Sequence, residues 1–365
     1  MTLTRTFHPI GQGAFYTERH NINGIEFTVV YDCGSTTLKG EKLETKIKST
    51  FPKNHSIDIL FISHFHSDHI NGIETLKKNY KIKKVVLPLI DDDAKTLLKI
   101  SNYISDNNSD TQLIDNPTAY FGDGTTVITV SETNLNEGDN GINIESTTDI
   151  STLNPKQPVA SGTAFISGLA NHDWLFIPFN YKHIDRKTQF IASLTALGLT
   201  LTDLDTIEKI ATYKDKIREA YNDIDGDLNE NSMLLFSGKN ADEPICCFAH
   251  HHHFFYHYHF DEINSSCIYF GDINLKQLGI VNDINKKLVR LLPHVGTIQV
   301  PHHGSIHNFD SSILKTSNVK CAILSFGTTN TYGHPSDRVI GEILSSSVFP
   351  YLVTEKQYSM VTQWK

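Results

Sequence analysis

The sequence predicts a layered α/β fold, and three features predict it. Short apolar, β-branched runs alternate with helical stretches over the first hundred residues. Runs of the same strand character return after residue 231 and again alternate with helices. Between them lies a polar, then helical, middle that looks inserted into one continuous domain spanning all 365 residues. Composition agrees. Hydrophobic residues at 39% can fill a sizeable core, and charged residues at 20% are too few for a disordered chain.

The elements follow in order. Residues 2–10 read as a short strand, Gly11-Gln12-Gly13 as a turn, and residues 25–31 (IEFTVVY) as a buried strand running into Asp32-Cys33-Gly34-Ser35. Residues 40–50 have helical spacing, residues 57–63 (IDILFIS) strand length, and residues 70–80 helical periodicity. A strand at 84–89 and a helix at 92–104, with an acidic first turn that suits the helix dipole, complete the first third. Residues 131–162 are rich in Ser, Thr, Asn, Gly and Asp and read as a long loop. Strands at 163–167 and 174–179 and a helical pattern over 183–223 follow, and residues 131–225 are taken as the insertion. Later strands are expected at 232–236, 246–249, 267–271, 297–300, 321–326 and 351–354, with helices at 275–292 and 336–344.

Several function classes drop out. A net charge of −9 leaves no global basic field, so any nucleic-acid contact needs a local patch. The lysine-rich stretches 42–53 and 77–84 are the candidates, against the blander role of solvated helix faces. Five cysteines without a CxxC argue against a disulfide framework and for a reducing compartment. No signal-like or membrane-length apolar run is present, so a soluble, cytoplasmic protein is expected, with no membrane partner. P-loop, GxGxxG and GxSxG motifs are absent.

The informative excess is histidine, 19 residues in all. Ser63-His64-Phe65-His66-Ser67-Asp68-His69 comes directly after a strand and opens a helix. Imidazoles and a carboxylate at this density suit a pair of borderline divalent cations. His64 and His66 can point to one ion from an extended loop, while Asp68 and His69 turn toward a second. Zn²⁺ is favoured for histidine-rich ligation, with Mn²⁺ the alternative.

At HxHxDH the chain resembles the metallo-β-lactamase superfamily, which implies an αββα sandwich with two metals at its edge. In the same resemblance Asp32 matches an aspartate that orients the metal loop from behind, and Asp272, after CIYFG, matches the carboxylate that bridges the ions. His302-His303-Gly304-Ser305 matches the last histidine motif. The implied ligands are His64, His66, Asp68, His69, Asp272 and His303. Asp68, His302 and His334 are the candidate catalytic residues. PHHGS, the GHPS of residues 333–336 and NENS at 229–232 narrow the likeness to the soluble domain of the ComEC DNA-uptake family, over residues 1–90 and 226–340. That pattern places asparagines, Asn229 and Asn231 here, where other members carry a third histidine. The segment 250–260, with its interleaved histidines and aromatics, departs from the pattern; it is a candidate third ligand, a substrate-contacting lip or incidental surface.

The implied function is a metal-dependent hydrolase, a phosphodiesterase or nuclease first, acting on a phosphoester such as a nucleic acid or nucleotide. A hydrolase of a carboxylic ester, thioester or lactam is the alternative, and would be favoured by a GHTPGH-type last motif, which is absent. Were residues 302–303 extended, their side chains would point to opposite sides, His303 to the metal with Asp68 and His69, His302 to the substrate.

Overall fold

The computed structural model describes residues 1–106, 111–135, 141–142, 144–182, 185–222, 231–249 and 260–365. Its first strands are β1 (Thr2–Phe7), β2 (Gly13–Ile22), β3 (Ile25–Ser35), β4 (Ser56–Phe61), β5 (Lys81–Pro88), β6 (Thr126–Val130), β7 (Thr147–Asp149), β8 (Ala164–Ile166) and β9 (Leu175–Lys182). The rest are β10 (Asn231–Gly238), β11 (Pro244–Ala249), β12 (Phe260–Asn264), β13 (Ser266–Tyr269), β14 (Val295–Gln299), β15 (Cys321–Ser325), β16 (Phe349–Val353) and β17 (Val361–Trp364). Nine form one sheet in the order β12-β11-β17-β1-β2-β3-β4-β5-β6, and eight form a second, β16-β15-β14-β13-β10-β9-β8-β7.

The two sheets face each other across one core and carry helices on their outer sides. Along β4, Ile59 and Phe61 join the core between the sheets, while Leu60 packs on the other side with Leu43 and Ile47 of α1 (Glu41–Lys48). Along β10, Met233 and Leu235 face inward, while Leu234 and Phe236 meet the helix Ile280–Lys287. A strand covered on both faces needs no polar side, hence the apolar run Ile59-Leu60-Phe61 that ends β4. The α/β reading holds, as an αββα arrangement.

Strand β2 is the element the pattern hides. Its polar Thr17, Glu18 and His20 are buried, so the alternation that announces a strand is erased. Arg5 Nε donates to Glu18 Oε1 at 2.7 Å, and Ser237 and Tyr269 hydroxyls donate to the same carboxylate, each at 2.7 Å. Burial opposes charge on Glu18, yet Arg5 and His20 hold its carboxyl far below the usual range.

Residues 131–225 divide into two parts. Strands β7, β8 and β9 are built into the second sheet, with β9 in antiparallel register with β10 from Leu175↔Gly238 to Lys182↔Asn231. The helices Asp185–Ala196, Ile207–Thr212 and Lys214–Asn222 instead bury Phe190, Leu194, Ile210 and Ile217 against Leu97 and Ile100. The expected insertion is therefore helical appendage only after β9, and sheet before it. Among the described residues no helix is long and apolar enough to cross a membrane.

Two buried histidines away from the sequence motifs make a pH prediction. Burial, with Lys46 adding, lowers His8 to about 3, and burial with His20 lowers His172 to about 3. Between that value and the unfolded imidazole value near 6.5, the unfolded chain binds protons the folded chain excludes. Stability is then fully present above the upper limit and falls as the pH drops. In chelator-treated protein, the unfolding free energy from urea titration should fall steadily from pH 6.5 to 4.5, by on the order of 1–3 kcal/mol per histidine, and the urea midpoint with it. A flat midpoint over that window would contradict the buried neutral imidazoles.

Candidate metal centre

Three strand ends and one short helix bring the candidate ligands together. The turn after β4 carries His64 and His66 into α2 (Ser67–Ile70), which presents Asp68 and His69. Asp272 follows β13 by three residues, and His302 and His303 follow β14. The ends of β13 and β14 lie side by side because these strands are parallel, and the end of β4 meets the second sheet where Met233 N donates to Ser63 O at 2.8 Å.

Two glycines let α2 come this close. A Cβ on Gly13 would sit 2.4 Å from the Asp68 carbonyl oxygen, and one on Gly34 would sit 2.6 Å from the His69 carbonyl carbon. The turn GQG and the segment DCGS thus exist for the backbone approach of the metal loop. Asn71 ties the two together, accepting from Ser35 N at 2.9 Å and donating to Ser35 O at 2.8 Å.

Hydrogen bonds fix which imidazole nitrogen faces the centre. Ser63 Oγ donates to Asp32 Oδ2 at 2.6 Å, so it accepts from His64 Nδ1 at 2.8 Å. His69 Nδ1 donates to Asp32 Oδ2 at 2.8 Å, and His303 Nδ1 donates to the Ser325 carbonyl at 2.8 Å. The Nε2 atoms of His64 and His69 are left without a hydrogen-bond partner, that of His303 meets Asp68 Oδ2, and all three converge. Asp32 therefore stands behind the loop, holding His69 and, through Ser63, His64. It does so in a left-handed conformation, φ 55°, which few non-glycine residues adopt.

The bare atoms form two overlapping groups. His64, His69 and Asp272 offer ligand atoms within 4.8 Å of one another, and so do Asp68, His69 and His303. His69 Nε2 lies 3.2 Å from Asp272 Oδ1, His64 Nε2 3.5 Å from Asp272 Oδ2, and His303 Nε2 3.0 Å from Asp68 Oδ2. His66 lies beside the first group, its ring 5.0 Å from that of His64, but joins neither. Asn231 opens β10, whereas Asn229 and residues 250–259 lie outside the described residues, so a third ligand for His64 and His66 is not placed.

This donor set fits divalent cations. Among the described residues, the buried atoms His64 Nε2, His69 Nε2 and Asp272 Oδ1 have no hydrogen-bond partner, a costly arrangement unless a cation is meant to satisfy them. The electrostatics agree. Burial opposes charge on His69, yet Asp272, Asp68 and Asp32 hold its pKa well above normal. Burial also works against Asp272, whose carboxyl is nonetheless held well below the usual range by His69, His302 and His64. His64, buried and beside His69, falls to about 4 and stays neutral, as a ligand must.

The double histidine differs from an extended segment. His302 (φ 48°, ψ 50°) and His303 (φ 56°, ψ 19°) are both left-handed, a strained pair costing about 1–2 kcal/mol per residue. That turn, rather than strand alternation, separates them. His303 points at Asp68, while His302 sits 3.9 Å from Asp272 Oδ2 and meets the His334 ring at 5.6 Å. His302 and His334 line a cleft of about 660 Å³ above the ligands.

Supporting residues carry no motif signal. Gln299 Oε1 accepts from Phe270 N and Gly271 N at 2.8 Å each, and Ser232 Oγ accepts from Asp272 N at 3.1 Å. Asn102 donates to Phe65 O at 2.8 Å. Of these only Ser232, within NENS, lies in a motif the sequence singles out.

Residues 22–141 match the family model described as "Metallo-beta-lactamase superfamily". No curated protein matches the chain. Among solved structures it is similar to the metallo-beta-lactamase fold protein YhfI from Bacillus subtilis, at 9% identity and a TM-score of 0.40, over 97% of each chain.

Proposed function

We propose that this chain, whose residues 22–141 match the metallo-β-lactamase superfamily model, is a metal-dependent hydrolase and that the bond it hydrolyses is a phosphodiester. The polarity of the cleft carries this reading. Its described lining is hydroxyl, amide, imidazole and carboxylate, with Lys39 and Tyr332, and includes no Leu, Ile, Val, Met or Phe. An acyl or lactam substrate would leave its hydrocarbon against these groups unsatisfied, whereas a phosphodiester offers charge and oxygen acceptors.

His64, Asp68, His69, Asp272 and His303 would hold the cations, with His66 adjacent. Such cations supply Lewis acidity toward an ester oxygen and a strongly acidified water. The chain's own groups do the rest. Asp32 and the Ser325 carbonyl each take the Nδ1–H of His69 and His303, which turns the Nε2 of both rings toward the ligand groups. His302 and His334, stacked edge to face above Asp272, are placed to donate to the departing oxygen, and Lys39 adds positive charge at the rim.

The test is an activity panel on one Zn²⁺- or Mn²⁺-loaded preparation. Bis(4-nitrophenyl) phosphate, single-stranded and duplex DNA, RNA and cyclic dinucleotides are set against nitrocefin and a thioester. Turnover is expected among the phosphodiesters. Hydrolysis of nitrocefin or the thioester with none of any phosphodiester would overturn the reading.

A further inference from the structure

A second groove, of about 410 Å³, opens on the other side of the metal loop. It shares Lys39 and Ser67 with the cleft, so the two are continuous at the N-terminus of α2. The same short helix therefore points Asp68 and His69 into the metal centre and lays Ile70 along the groove. The groove runs between α1 and α3 (Ile73–Asn79), with Leu43 on one wall, Thr75 on the other and Leu113 at its end.

Its chemistry differs from that of the cleft. Leu43, Ile70 and Leu113 give it the apolar surface the cleft lacks, while Asn71, Thr75 and the carboxylates Glu44 and Glu74 give a polar edge. Both carboxylates are charge-balanced, Glu44 by Lys48 at 2.8 Å, and Glu74 by Lys77 at 2.9 Å and Lys78 at 3.2 Å. In the second lysine-rich stretch Lys83 is likewise held by Asp58 at 2.6 Å. These lysines are committed within the protein, so the groove does not offer a track for a run of phosphates. It suits a neutral group with a flat apolar face and a hydrogen-bonding edge, joined to one phosphate at Lys39.

We propose that this groove is the subsite for a nucleoside arm of the diester, leaving the phosphate in the cleft beyond Lys39. The proposal rests on the phosphodiesterase reading and narrows it, from any diester to one bearing a nucleoside. The Glu44 and Glu74 carboxylates, each with lone pairs beyond those its lysines take, match the amino and imino groups of a base edge, and the leucines and Ile70 match its face.

Thr75→Cys allows the groove to be closed after folding. The variant is assayed before and after alkylation with N-ethylmaleimide, with wild-type protein treated in parallel to account for native thiols such as the half-buried Cys246. Two substrates are compared, the 4-nitrophenyl ester of adenosine 5′-monophosphate and bis(4-nitrophenyl) phosphate. Alkylation should lower the ratio of their kcat/KM values by about tenfold or more, through KM for the nucleotide ester. Adenosine 5′-monophosphate should inhibit the alkylated variant correspondingly less. A ratio and an inhibition constant both unmoved by alkylation, in protein that cleaves both esters, would overturn the subsite and leave the phosphodiesterase reading standing. Absence of any phosphodiester turnover in the unmodified protein would overturn both.

Discussion

Asp272→Ala should lose more activity than any single histidine substitution, by about a thousandfold or more in kcat. The reason is position. Asp272 lies within reach of His64, His69 and His302, touching one ligand group directly and the other through His69. Among the described residues, no other in the centre faces so many imidazoles. Removing its carboxylate also removes the first of the charges that raise the His69 pKa, so His69 should become the less basic group. The fold should survive, since the loop is tethered through its backbone by Gln299, Ser232 and Asn308 rather than through the Asp272 side chain. Circular dichroism, bound metal and kcat on one preparation check the three parts. Near-normal turnover by the variant would move the shared carboxylate elsewhere.

The second large effect is a split between two adjacent residues. His303 has its Nδ1 committed to the Ser325 carbonyl and its Nε2 at Asp68, which makes it a ligand. His302 faces the cleft and His334 instead. His303→Ala should therefore lower metal content and turnover together. His302→Ala should keep the metal and lower kcat alone, by the roughly 10²–10⁴-fold typical of a positioned acid–base group. Metal loss in the His302 variant with retention in the His303 variant would reverse the assignment.

How much of this was legible depends on whether a signal is local. HxHxDH, Asp32, Asp272 and the double histidine each sit on a strand end, where a short motif and a buried run stand next to each other in sequence. Their convergence could be read because parallel strands place their ends on one edge. Ser63 and Gln299 could not, since a polar residue at the end of an apolar strand looks like any other until its partner 30 residues away is known. The left-handed turn at residues 302–303 was hidden for a related reason. It puts the two side chains on different targets, as an extended segment would, but by backbone strain that nothing in the residue types reveals. Strand β2 is hidden by its own buried charges, and β7, β8 and β9 are masked by the polar loop that precedes them.

Two ligand groups that meet at His69 would hold two divalent ions, the one free nitrogen of His69, Nε2, serving one of them. Elemental analysis of protein purified without chelator tests this most directly. The wild type is expected to carry close to two transition-metal ions per chain. Asp68→Ala combined with His303→Ala, which removes one group and spares His64, His69 and Asp272, should carry close to one. A wild type with no bound transition metal would contradict the account.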